Sequence, residues 1–242
     1  NISLITNVGE CHMELLGSKE NIARAKAEVL DALADGEGVA VLNAADSFCA
    51  KQRSWAKLEK RGIKTFLYDG SGVCASGIPA DELTAYATDV QLDEEGHPSF
   101  ALHLPDGAHA CALMLRGAHN AHNACAAAAL GWACGVSSEA IVAGLGASQA
   151  ESGRQEVVRA QSGITVINDA YNANPDSMCA SLALLCAMKV DGRRFAVLGD
   201  MGELGDFARA CHVGIGELAG TLPLDRLVCV GELAAHIVGY TS

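Results

Sequence analysis

The 242-residue sequence is short of basic residues: 17 Lys and Arg stand against 29 Asp and Glu, a formal net charge of −12. No basic surface is left to neutralise a phosphate backbone, so nucleic acid is excluded as an expected partner. A small polyanion is not excluded, because local amides and a divalent metal outweigh net charge at short range. No two of the ten cysteines are spaced C-x-x-C, and they read as small core residues of a reduced protein, neither disulfides nor zinc ligands. No apolar run is long enough to span a bilayer, and the first residues lack the pattern of a signal peptide. A cytoplasmic protein without membrane insertion is the expectation. The G-x-x-x-x-G-K-[ST] loop is missing, so the chain is not expected to cradle a triphosphate by itself. The absence of G-x-G-x-x-G, H-E-x-x-H and G-x-S-x-G removes support for a Rossmann oxidoreductase, a zinc protease or a serine hydrolase.

What is present is an α/β rhythm. Half of the residues are apolar, enough for one large core or two ordinary ones, and two α/β domains are expected, residues 1–150 and 151–242. Ile2-Ser3-Leu4-Ile5-Thr6 reads as a strand, Ser18 as the N-cap of a helix running to about Ala34, and Gly38 to Leu42 as the next strand. Asp46 to Lys60 reads as a helix and Ile63 to Leu67 as a third strand, an alternation that indicates right-handed crossovers in a parallel sheet. The pattern then changes to short runs at Asp89 to Leu92, Ser99 to Leu104 and Ala110 to Leu115, separated by turn residues, which predicts an antiparallel meander. An Ala-rich helix from Asn120 to about Cys134 closes at Gly135, and a shorter one follows Ser137-Ser138. Beyond a small-residue hinge at Ser148 to Gly153, strands at Ile164 to Asn168, Phe195 to Leu198 and Leu227 to Val230 form a second, Rossmann-like succession. Asp169, Asp200 and Gly231 follow these strands directly, where open parallel sheets bind their ligands.

Several segments carry chemistry. Thr6-Asn7-Val8-Gly9-Glu10-Cys11-His12 brings an amide, a carboxylate and an imidazole to a strand end, groups that suit a metal-phosphate site or, equally, a turn capping the next helix. On that helix Ile22, Ala25, Val29 and Leu33 form one apolar stripe with Lys26 inside it. Lys26 either snorkels to the rim or is a desolvated amine able to add CO2 and become a carbamate. Asn120 and Asn123 are a helical step apart and can reach one ligand edge; His119 and His122 share that spacing, but histidines at a helix start more often cap or solvate than ligate. Asn168-Asp169-Ala170-Tyr171-Asn172-Ala173-Asn174-Pro175 is a polar loop between strand and helix, with Pro175 suited to the first turn. Gly199-Asp200-Met201-Gly202-Glu203-Leu204-Gly205 repeats the arrangement one unit later.

Taken together these segments resemble the Mur ligases, and within them the MurF branch, which joins D-alanyl-D-alanine to a UDP-N-acetylmuramoyl-tripeptide. The Tyr171 to Pro175 and Gly199 to Gly205 segments carry the branch. Thr6 to Gly9 with His12, Gly17 and Lys26, and Gly117 to Asn123, are shared more widely in the superfamily. The resemblance covers nearly the whole chain and implies a central ATPase domain without its P-loop part, followed by part of a Rossmann-like C-terminal domain. It also implies ATP and Mg2+ as cofactors, and an acyl phosphate on the precursor that the dipeptide amine attacks.

By resemblance, His12 is a magnesium ligand and Lys26 the lysine that becomes carbamylated and organises the metals. Asn7 lies in the segment that meets the phosphates, Asn120 and Asn123 match adenine-site residues, and Arg154 matches an arginine reaching the ATP phosphates from the hinge. Asp169 matches a ribose contact, and Tyr171, Asn172 and Asn174 stand where nucleotide and amino substrate meet. Ser152 departs from the proline common before Gly153-Arg154. A monomer is expected, and a fragment of a longer enzyme. The alternatives are another Mur or folylpolyglutamate-type ligase and a non-catalytic nucleotide-binding module.

Overall fold

The computed structural model describes residues 1–10, 13–71 and 76–238. The chain forms two compact units, one of Asn1–Val8, Ser18–Asp93 and His97–Ser148, the other of Gly9–Gly17, Glu94–Gly96 and Gln149–Ser242. Among the described residues no helix is long and apolar enough to cross a membrane.

The first unit is a six-stranded sheet with helices on both faces. Its elements are β1 (Ile2–Ile5), α2 (Lys19–Ala27), β2 (Val39–Asn43), α3 (Cys49–Trp55), β3 (Lys64–Asp69), β4 (Ala85–Leu92), β5 (Pro98–Leu104), β6 (Gly107–Ala112), α4 (His119–Ala133) and α5 (Ser138–Ala147); α1 (Met13–Leu16) belongs to the second unit. The strand order is β1-β2-β3-β4-β5-β6, parallel from β1 to β4 and antiparallel through β5 and β6. The meander is therefore continuous with the parallel strands.

Sequence and burial agree on this layout. In β2 the consecutive Ala40, Val41 and Leu42 are all buried, as a strand covered on both faces requires. In β5 Pro98, Phe100, Leu102 and Leu104 are buried and Ser99 is exposed, the alternation of a sheet with one wetter face. Small residues let α4 lie close on the sheet: Ala121, Ala124, Cys125, Ala128 and Ala129 pack in one core with Val41, Tyr68, Phe100 and Leu102. At Gly70 the approach is so close that a Cβ would stand 2.2 Å from the His122 Cα, which only glycine avoids.

Two local expectations are corrected. Ser18 does cap α2, its hydroxyl accepting from the Asn21 N–H at 3.1 Å. The buried stripe, however, is Ile22, Ala23, Ala27, Leu30 and Leu33; Ala25 is only half-buried and Val29 is exposed. Ala23 and Ala27 already lie on this face ahead of the 3-10 turn at Glu28–Leu30, so the packing covers the side of the helix next to the expected stripe. Of the helix expected from Asp46 to Lys60, only Cys49–Trp55 is α-helical. The Asp46 carboxylate ties the entry by accepting from Phe48 N–H (2.8 Å), and Lys57, at φ +51°, turns the chain out of helical geometry.

The second unit contains β7 (Glu156–Arg159), β8 (Thr165–Asn168), α6 (Pro175–Ala187), β9 (Phe195–Gly199), α7 (Ala208–Thr221), β10 (Arg226–Val230) and α8 (Ala235–Val238). β9 and β10 pair in parallel, from Phe195 opposite Arg226 to Gly199 opposite Val230. Met178, Leu182, Ala196, Met201, Leu204, Ile215, Ala234 and Ile237 form its core. β8 pairs instead with β7, antiparallel, Glu156 opposite Asn168. The tight turn between them uses Gly163 at φ +83°, with Ala160 N–H bonded to the Ile164 carbonyl at 2.8 Å.

Candidate functional site

In the first unit the chemistry-bearing groups gather at the carboxyl ends of β1, β2 and β3, the edge where open α/β sheets bind ligands. The backbone just past β1 is held by four side chains. The Thr6 carbonyl accepts from Tyr68 OH (2.7 Å) and Asn43 Nδ2 (2.9 Å), Val8 N–H donates to Asp46 Oδ2 (2.5 Å), and Lys26 Nζ donates to the Asn7 carbonyl (2.7 Å). Lys26 thus sends its amine to the strand end that carries Asn7. His12 lies outside the described residues.

Asn43, Asp46 and Tyr68 were not singled out from the sequence. The signal was available for the first two: each is a polar residue at or just past the end of an apolar strand, the same position that marked Asp169 and Asp200. Tyr68 is fully buried, and burial pushes its phenol far above the usual range, so it stays a neutral donor to Thr6.

His122 faces the end of β3. Its Nδ1 accepts from Gly70 N–H at 3.1 Å and its ring lies 5.2 Å from that of Tyr68. This is a structural tether, and among the described residues no group of three or more His, Cys, Asp or Glu stands together for a metal. Burial lowers the His122 pKa below its ordinary 6.5, against the opposing pull of Asp69 and Asp46. A depressed histidine makes the unfolded chain bind its proton first, so stability is full above about pH 6.5 and falls as the pH drops toward the lower folded value. Thermal unfolding between pH 7.5 and 5.5 should accordingly show a larger loss in the native chain than in His122→Gln, which keeps a neutral acceptor. Equal losses in the two proteins would assign the effect elsewhere.

Asp69, buried beside it, feels two opposing effects: burial disfavours its charge, but the side chain and N–H of Ser71 (N–H at 2.9 Å) and the N–H and side chain of Ser76 (N–H at 3.2 Å) outweigh this and hold its carboxyl below the usual range. Asn120 and Asn123 do meet at the first turn of α4. Asn123 Nδ2 donates to Asn120 Oδ1 at 3.0 Å, and Asn120 Nδ2 donates to the Arg116 carbonyl at 2.6 Å. Asn120 is half-buried and Asn123 exposed, an amide pair fixed in place with one member open to solvent.

In the second unit Asp169 and Tyr171, singled out after β8, form a hydrogen-bonded knot with the segment before β7. Asp169 accepts from Gln155 N–H at 3.2 Å and from the Ser181 hydroxyl. Tyr171 N–H donates to the Gly153 carbonyl (3.1 Å), and the Arg154 guanidinium lies 3.9 Å above the Tyr171 ring. Arg154 also stands 3.7 Å from Glu151. Asn172 Oδ1 accepts from Ala173 N–H (2.9 Å). Asn174 is the N-cap of α6: it accepts from Ser177 N–H (2.9 Å) while Ser177 Oγ accepts from Asn174 N–H (3.0 Å), with Pro175 in the first turn.

Glu156, which no spacing in the sequence marked, accepts on one oxygen from Ser152 Oγ (2.9 Å), Gly153 N–H (3.1 Å) and Asn168 Nδ2 (3.3 Å). These bonds, the Gly153 N–H first, keep its carboxyl below the ordinary range. One unit further on, Asp200 Oδ1 accepts from Ala234 N–H at 2.7 Å, and a Cβ on Gly231 would sit 2.1 Å from that oxygen. Glycine at 231, φ +126°, is what lets β10 end beside the Asp200 carboxylate.

The family model of the Mur ligase middle domain matches residues 1–131, and that of the Mur ligase glutamate ligase domain matches residues 153–239. A UDP-N-acetylmuramoyl-tripeptide--D-alanyl-D-alanine ligase of Mycobacterium tuberculosis is 40% identical over 95% of this chain and 43% of its own length. The Escherichia coli protein of the same name is 34% identical over 99% of this chain and 49% of its own. A crystal structure of MurF from Acinetobacter baumannii superposes with a TM-score of 0.85 at 33% identity, covering 98% of this chain and 48% of that one. The chain spans about half the length of the curated relatives it matches.

Proposed function

Because the chain belongs to the Mur ligase family, whose middle-domain model alone matches more than half of it, we propose that it forms the ATP- and amine-handling part of a ligase joining D-alanyl-D-alanine to a UDP-N-acetylmuramoyl-tripeptide. The observation that carries the reading is the knot around Arg154, Asp169 and Tyr171, in which residues of the branch-specific loop are cross-linked to the arginine segment. Residues 1–150 are the ATP-binding middle domain in this reading and 151–242 the ligase domain, in a cytoplasmic monomer.

Bound ATP supplies the phosphoryl group that activates the precursor carboxylate as an acyl phosphate. The chain's own residues bind and orient. Arg154 offers a rigid fork of donors to phosphate oxygens, pre-oriented by its stack on Tyr171. Asn120 and Asn123 present amide edges to adenine, Asn7 lies on the phosphate side, and Asp169 accepts from a ribose hydroxyl. Tyr171, Asn172 and Asn174 border nucleotide and amine. Holding the amine in line with the acyl carbon supplies rate by orientation alone.

Magnesium takes oxygen ligands. Of the two residues assigned to it, His12 lies outside the described residues and Lys26 offers a nitrogen that donates to Asn7 O. The described donor set as it stands does not fit the ion, and no step is derived through it. In the proposal Lys26 acquires oxygens as a carbamate, and His12 is kept as the second ligand by resemblance alone.

The reading is tested by incubating the whole protein with ATP, UDP-N-acetylmuramoyl-tripeptide and D-alanyl-D-alanine. One phosphate should be released per amide bond formed. Turnover with a different acceptor and amine, such as a folate and glutamate, with none on these substrates, would overturn it.

A further inference from the structure

We propose that Glu156 is the positioning residue for Arg154: its carboxylate locks the Ser152-Gly153 turn from which the guanidinium is aimed onto the Tyr171 ring. The functional side of this rests on the reading of Arg154 as a phosphate-facing group; the geometric side does not.

Arg154 stands between two residues in the left-handed region, Gly153 at φ +74° and Gln155 at φ +51°. Glycine takes that conformation freely, but glutamine does so only where the surroundings over-determine it. Those surroundings are two carboxylates. Asp169 fixes the far side of Arg154, by accepting the Gln155 N–H and by binding the Ser181 hydroxyl, which in turn accepts from Gln155 Nε2 at 3.0 Å. Glu156 fixes the near side, and all three of its donors converge on a single oxygen.

Charge favours that convergence, because hydrogen bonds to an ionised carboxylate are stronger than those to a neutral oxygen. The third donor, Asn168, is delivered by the β7–β8 register, which sets it directly opposite Glu156. Ser152 contributes a hydroxyl to the same oxygen. The turn is thus fixed by hydrogen bonds to Glu156. The Gly153 carbonyl then receives the Tyr171 N–H, which brings the ring under Arg154. Glu156 itself has no described contact with the guanidinium, so its effect on Arg154 passes through the turn.

The readout is the ring-current shift of the Arg154 δ-methylene protons in NMR spectra of the chain, with Tyr171→Leu as the unstacked baseline. In Glu156→Ala the shift should collapse to that baseline. In Glu156→Gln, which keeps an acceptor but not the charge, it should be intermediate, and Ser152→Ala, which removes only one donor, should lose less. If Glu156→Ala does not fold, the Gln and Ser152 variants give the same ordering. An Arg154 shift unchanged in folded Glu156 variants overturns the proposal. In the whole protein, Glu156→Ala should raise KM for ATP by about tenfold and leave KM for the dipeptide in place, and Glu156→Gln should recover part of the loss. Loss of stacking with an unchanged KM for ATP would overturn the phosphate role of Arg154 while supporting the positioning role of Glu156.

Discussion

Replacing Lys26 by alanine in the whole protein is expected to lower the turnover of amide ligation by about a thousandfold, the scale of a lost charge-stabilising group in an active site. The Lys26 side chain is half-buried on α2, and its amine reaches the Asn7 carbonyl at 2.7 Å, just past the end of β1. As a tether alone it is worth about one hydrogen bond, roughly 1 kcal/mol of stability, and nothing in chemistry. As the proposed carbamate it inverts its charge and supplies oxygens at the edge of the sheet where the phosphates are proposed to bind. The two roles separate cleanly. Lys26→Met retains the apolar stem that packs along the helix, so it should melt close to the native protein yet be as inactive as Lys26→Ala. Added formate or acetate should restore a measurable part of the Lys26→Ala activity by occupying the carbamate position. Ligation that survives in both variants would reduce Lys26 to the tether.

His212→Ala is expected to destabilise the second unit by about 3–5 kcal/mol, which combines the loss of a buried ring with a stranded backbone donor. His212 is fully buried in α7; its Nε2 accepts from Met201 N–H at 3.0 Å and its Nδ1 is 2.6 Å from the Ala208 carbonyl. The pair of partners defines a neutral ring with the proton on Nδ1, since a backbone N–H cannot bond to a protonated nitrogen. Through this ring the Gly199-Asp200-Met201 turn is pinned to α7, and Met201, itself fully buried, is kept in the core. Urea unfolding followed by circular dichroism should show the loss, and hydrogen exchange at the Met201 amide should accelerate with it. A loss under about 1 kcal/mol would mean that water or a neighbour takes over both bonds.

Neither His212 nor Glu156 was legible in the sequence, and the reason is the same for both. Each acts on a partner that no short motif contains: His212 reaches back eleven residues to Met201, and Glu156 reaches across a strand pair to Asn168. A histidine inside a helix and a glutamate at a strand start read as ordinary residues until the pairing is known. Asn174 carries a role that its loop did not announce: its side chain caps α6.

The βα succession, the meander, the caps at Ser18 and Ser137, the Pro175 helix start and the Gly135 stop were all set by the sequence itself. These are decided within a few residues, by hydrophobic period, by side-chain oxygens beside free N–H groups, and by glycine and proline dihedrals. The tertiary structure decided which face of α2 is buried, and that β8 pairs with β7 instead of joining β9. It alone brought Tyr68, Asn43, Asp46 and Lys26 to the end of β1, and Glu156 and Asp169 to either side of Arg154. Such choices depend on hydrogen bonds and packing between residues far apart in the chain, whose free energies exist only when both partners are already in place.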